Sequence, residues 1–115
     1  MSESEQKQLA AGIGRAISKQ RTRCGLTQEE VAVRLGLGNE AISRIERGIV
    51  IPNIARLLEF AAIFECGAAE LLTEVSPRVD DQASRISHLI HSLEQNDREL
   101  VVEMVEMLSE RLARG

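Results

Sequence analysis

The sequence has no tryptophan, no tyrosine and only two phenylalanines, Phe60 and Phe64. Single-stranded nucleic acid is held by stacking bases on aromatic side chains, so that mode of binding is excluded, as is an aromatic cage for methylated lysine. Cysteine is scarce as well. Cys24 and Cys66, neither of them in a CxxC, cannot build a disulfide framework and read as two small residues of a reducing compartment. No apolar run approaches the roughly 20 residues that span a bilayer. The polar, acidic opening from Met1 to Gln8 lacks the apolar core of a signal peptide. These absences lead us to expect a cytoplasmic protein with no membrane partner.

Catalytic and metal-binding patterns are also missing. His88 and His91 stand three apart, but no Cys, Asp or Glu nearby completes a ligand set, and solvated or interface histidines are the simpler reading. Ser18, Ser43 and Ser92 have no nucleophile elbow or triad around them. Gly12-Ile13-Gly14 lies within a helical pattern with no strand before it, which does not suit a phosphate-binding loop. We expect no enzyme activity, no metal and no cofactor.

What is present is a chain of 115 residues, 43% hydrophobic and 28% charged, with a net charge of -4. Its pI of about 5.2 argues, on average, against nucleic acid. The charge is uneven, however. Residues 12–56 carry eight basic and four acidic groups, whereas residues 77–115 carry five basic and eight acidic ones. The basic segment comes first.

Period-2 alternation is absent, and apolar residues recur at helical spacing throughout. A first helix is predicted from about Glu5 to Arg23, with Gly25 as its stop signal. Thr27-Gln28-Glu29-Glu30 has capping-box spacing and opens a second, which Gly36 ends. A third runs from about Asn39 to Arg47 and stops at Gly48. After Pro52-Asn53 a fourth spans Ile54 to Phe64, with Leu57, Leu58, Ala61 and Phe64 on one stripe. A short fifth covers Ala68 to Leu72. Thr73 to Asp81 reads as a hinge. Beyond it Ile86, Leu89, Ile90 and Leu93 mark a sixth helix, and Asn96-Asp97-Arg98-Glu99 signals the start of a seventh. The fold class is therefore all-α. We divide it into a bundle over 9–74, a linker over 75–81 and a C-terminal helical segment over 82–114.

Gln28 to Arg47 is the informative stretch. Two short helices meet at a glycine-bearing turn, with Val31, Ala32, Leu35, Leu37, Ile42 and Ile45 at fixed intervals. That is the pattern of a helix-turn-helix: Ala32 is small where the helices cross, and Gly36 suits a left-handed turn. These residues, together with Ile13-Gly14, Ile17, Arg21, Gly25-Leu26-Thr27, Gly48, Pro52, Leu57-Leu58, Ala61 and Glu70-Leu71-Leu72, resemble the Cro/phage-lambda-repressor helix-turn-helix family of XRE type. The resemblance covers about Ile13 to Leu72.

The resemblance implies a five-helix bundle whose third helix enters the major groove of double-stranded DNA, with dimers reading half-sites about 34 Å apart. It assigns base reading to Asn39, Glu40, Ser43 and Arg44, since Asn suits adenine, Arg suits guanine and Glu accepts from cytosine. It makes Gln28, Arg47, Arg15 and Lys19 candidate phosphate contacts, and Arg21 with Glu46 a structural ion pair. Glu40, Gly38 and Ile49-Val50-Ile51 depart from the family's usual residues. These changes lower the expected phosphate affinity and leave the reading set in place.

In the tail, Val101, Val105, Leu108 and Leu112 follow heptad spacing, and Leu100, Met104 and Met107 widen the stripe. So broad an apolar surface must be buried: the tail either folds back as a cap on the bundle or exchanges with the tail of a second subunit, and we expect the second. The expectation is a DNA-binding transcriptional regulator, a repressor in the first instance, acting as a homodimer on a palindromic operator. The alternative is a protein-interaction module, such as an antitoxin, whose C-terminal helices hold a protein partner.

Overall fold

The structure is a computed structural model, and it describes residues 1–73 and 75–115. Among these are seven α-helices: α1 (Glu3–Arg23), α2 (Gln28–Leu35), α3 (Asn39–Glu46), α4 (Ile54–Phe64), α5 (Ala68–Thr73), α6 (Val79–Ile90) and α7 (Gln95–Ala113). The described residues include no strand. Three differences from the sequence reading have local causes. Helix α1 starts earlier, at Glu3, because Ser2 and Glu5 form a capping box: the Ser2 hydroxyl accepts from the Glu5 amide at 3.1 Å. Helix α6 begins at Val79, inside the stretch read as a hinge. Helix α7 begins at Gln95 on an Arg98-to-Glu94 backbone bond, one residue before the Asn96 that looked like its cap.

Helices α1 to α5 enclose one core. Ile13, Ala16 and Ile17 of α1 pack with Val31 and Ala32 of α2, Ile42 and Ile45 of α3, Leu57, Phe60, Ala61 and Phe64 of α4, and Leu71 of α5. The stripe on α4 is thus Leu57–Phe60–Ala61–Phe64, which corrects the sequence reading. Leu58 is 55% exposed and Phe60 fully buried. Both choices fit a helical period, and the packing of α1, α2 and α5 against α4 decides between them. The two phenylalanine rings stack one turn apart, with centroids 5.9 Å apart.

The chain ends of the helices are tied off by side chains. Arg23 donates to the Phe64 carbonyl at 2.9 Å, joining the ends of α1 and α4. Asn53 caps α4 by accepting from the Arg56 amide at 2.8 Å, and the Arg56 guanidinium lies 3.5 Å from the last carbonyl of α2, that of Leu35. Helix α6 packs on α5. No residue of α6 or α7 is buried, so α7 does not fold back as a cap over the bundle.

Candidate nucleic-acid interface

The turn between α2 and α3 is built by backbone chemistry. Gly36 takes a left-handed conformation (φ 68°), and the Leu37 amide reaches back to the Ala32 carbonyl at 2.9 Å, closing the end of α2. At the other end, Thr27 and Glu30 form a reciprocal capping box. Helix α3 starts on Gly38, which offers no side-chain cap.

Helix α3 is strongly two-faced. Ile42 and Ile45 point into the core, and Asn39, Glu40 and Arg44 are exposed, with Ser43 half-buried between them. Arg44 has no partner among the described residues. Glu40 does: its carboxylate accepts from Arg47 at 3.2 Å, two turns along the same face. One acid on the exposed face is thereby paired with one of the two arginines there. Both groups are largely exposed, 77% and 56%, so the pair is held weakly and can open.

The inner end of α3 is fixed to α1 in two ways. Gly14 presses against the last turn of α3, where an added Cβ would lie 2.5 Å from both the Ile45 and Glu46 carbonyl oxygens. Gly12 makes room for Val75 in the same manner. These glycines, which carry no phosphate-loop meaning, are the sites where neighbouring chain comes within backbone contact of α1. Beside Gly14, Arg21 grips Glu46 with two bonds, Nε to Oε2 at 2.7 Å and Nη2 to Oε1 at 3.1 Å. Its third nitrogen donates to the Leu26 carbonyl at 2.8 Å. The hydrogen bond to Glu46 raises the Arg21 guanidinium above its ordinary pKa.

The Gln28 side chain donates to Glu46 Oε1 at 3.1 Å, so its amide group belongs to this network. The Gln28 backbone still opens α2, at the positive end of a helix where anions bind. Arg15 and Lys19 lie elsewhere. Arg15 lines a groove with Val75 and Pro77, and Lys19 lines a cleft with Arg23, Arg85 and His88 between α1, α5 and α6. Neither groove includes a residue of α3.

The structure therefore brings Asn39, Glu40, Ser43, Arg44 and Arg47 together on one outward helix and sets Arg15 and Lys19 apart. Sequence reading missed Arg23 and Arg56, which it counted only as positive charge and which instead bind helix-end carbonyls. Their spacing from those carbonyls is tertiary, and no local pattern could have shown it.

A helix-turn-helix family profile matches residues 17–71, the whole of α2 to α4 with parts of α1 and α5. The chain is 36% identical over 61 residues to the uncharacterized HTH-type transcriptional regulator y4dJ of Sinorhizobium fredii, covering 53% of this chain and 79% of that protein. The chain belongs to the XRE-type helix-turn-helix family. It is also 26% identical over 83 residues to the cryptic phage CTXphi transcriptional repressor RstR of Vibrio cholerae, covering 72% of this chain and 75% of the repressor. As an XRE-type regulator it is a DNA-binding protein, and α3 occupies the place of the helix that enters the major groove. Among the described residues, no helix is long and apolar enough to cross a membrane.

Proposed function

We propose that this XRE-type regulator is a repressor that binds a palindromic operator as a homodimer. The observation that carries the reading is α3 itself: an outward face of Asn39, Glu40, Ser43 and Arg44 on a helix whose inner face and inner end are immobilised. Rigid presentation is what base reading needs, because hydrogen bonds to base edges tolerate little displacement. Arg44 pairs with guanine, Asn39 with adenine, and Glu40 accepts from cytosine. Gln28, through its backbone amide, and Arg47 hold flanking phosphates. Arg15 and Lys19, set in grooves that include no residue of α3, add long-range attraction only. Dimerisation runs through the exposed apolar residues of α7, and the similarity to a phage repressor supports repression over activation.

Selection of random duplexes by the purified protein tests this reading. The expected result is enrichment of a two-fold symmetric motif whose half-sites lie about one helical turn apart. Enrichment of no motif would overturn it and favour a module that binds a protein partner instead.

A further inference from the structure

We propose that the two copies of α7 pair antiparallel, centred on Met104, with Asp97 of each chain facing Arg111 of the other. The proposal deepens the homodimer reading and rests on it. Asp97, Met104 and Arg111 are seven residues apart, two turns each, so they form one straight row along α7. That row runs down the middle of the apolar face. Leu100 and Met107 flank it on one side, and Val101 and Leu108 on the other. Glu99, Glu103, Glu106 and Glu110 lie round the opposite side of the helix, where they stay in water. Asp97 and Arg111 are thus charges set into an otherwise apolar surface, one near each end of it. Both are exposed, and neither has an ion-pair partner among the described residues.

A charge in the middle of an apolar face is costly to bury unless the partner surface brings the opposite charge. The possible pairings differ sharply on this point. In a parallel pair, Asp97 meets Asp97 and Arg111 meets Arg111, two like-charge contacts in the interface. In an antiparallel pair centred on Met104, both ends become Asp97–Arg111 contacts. The dyad then passes by Met104, whose flexible side chain packs well against its own copy. The distance from Asp97 to Arg111 along the axis is about 21 Å, so the two ion pairs close the ends of the apolar stretch between them. The opposed helix dipoles favour the same orientation.

The test is charge reversal in the full-length chain, read by sedimentation equilibrium. The unmodified protein is expected to be dimeric. Asp97→Arg turns both contacts from attractive to repulsive, as does Arg111→Asp. Each is expected to weaken dimerisation on the order of 10- to 30-fold. The doubly reversed chain, D97R together with R111D, restores both contacts and is expected to recover most of that loss. Reversal also removes a favourable helix-end charge at each site, and those costs add in the double variant, so recovery there comes only from the pairing. The neutral Asp97→Asn, with helicity followed by circular dichroism, separates loss of the contact from loss of the helix and is expected to weaken the dimer less than D97R does. Single variants that dimerise like the unmodified chain would overturn the antiparallel arrangement while leaving the homodimer intact, as would a double variant weaker than either single one. An unmodified protein that is monomeric at micromolar concentration would overturn the homodimer reading itself.

Discussion

Replacing Arg21 by alanine should cost the protein about 3 kcal/mol of stability, more than the loss of any exposed ion pair. Three contacts vanish together: the bonds to Glu46 at 2.7 and 3.1 Å and the bond to the Leu26 carbonyl at 2.8 Å. Removing one partner of a fully buried pair costs about 3–5 kcal/mol, because the other charge is left stranded. Here the Arg21 side chain is 18% exposed and Glu46 only 7%, so solvent relieves part of the penalty and the lower end of that range applies. Gln28 remains as a single neutral donor to the abandoned carboxylate. In a domain of this size the thermal midpoint should fall by about 10–20 °C, measured by circular dichroism. The contribution should not vary around neutral pH. A guanidinium whose pKa is raised on folding stabilises in full below its unfolded value, and that stability is lost only in strong alkali as pH rises through the folded one. Replacing both partners, with Arg21→Met and Glu46→Leu, should recover much of the loss, since no stranded charge remains. A loss below about 0.5 kcal/mol for Arg21→Ala would refute this reasoning, showing that water screens the pair like an ordinary surface bridge.

Other outcomes follow from the same geometry. Gly14→Ala places a methyl group 2.5 Å from two carbonyl oxygens of α3, so the helices must separate. A stability loss of about 2–3 kcal/mol in urea unfolding is expected, and an unchanged midpoint would show that α1 can slide at no cost. Arg44→Ala should weaken binding to the selected operator by about 1–3 kcal/mol and relax preference at one base pair, with the thermal midpoint unmoved. Uniform weakening across all sequences would instead make Arg44 a phosphate contact. Burial, reinforced by the charge of Glu70, pushes the Cys66 thiol up, so its thiolate forms at a higher pH than that of free cysteine. Alkylation of Cys66 in the native protein, resolved by peptide mass, should therefore run slower at pH 8 than in the unfolded chain. Equal rates would contradict its burial.

The number of helices and the turn between α2 and α3 were legible because they are local. Capping boxes, glycine stops and apolar periodicity act within a few residues, and Thr27, Glu30 and Gly36 behave as their spacing suggests. What escaped sequence reading depends on neighbours distant in the chain. Whether Leu58 or Phe60 turns inward on α4 is decided by where α1, α2 and α5 lie, not by the period of α4 itself. Glycine is unfavourable inside a helix, and the reason for Gly12 and Gly14, contact with Val75 and with the end of α3, exists only in the folded chain. In the candidate site, the residues facing outward on α3 could be listed from sequence. The pairing of Glu40 with Arg47 and the capture of Gln28 by Glu46 could not.

Those pairings change what the charge of the basic segment means. Its excess looked like eight cations available to DNA, but Arg21, Arg23 and Arg56 are bound to Glu46 and to helix-end carbonyls. Arg15 and Lys19 lie in grooves that include no residue of α3, Arg34 sits beside Glu29 and Glu30 on α2, and Arg47 is shared with Glu40. Among the cations on α3 itself, Arg44 alone is left without a partner among the described residues. Each phosphate contact contributes about 0.9 to the salt dependence of binding, and a protein making few of them binds weakly at physiological salt. A single copy of this domain is thus short of electrostatic affinity, and it gains most by linking two reading helices on one duplex. A second module converts the next binding event into an intramolecular one and raises avidity without any new cation. If α7 pairs two copies as proposed, its apolar face and the sparse cation set of α3 are connected: the tail would then supply by dimerisation the affinity that the reading face lacks in charge.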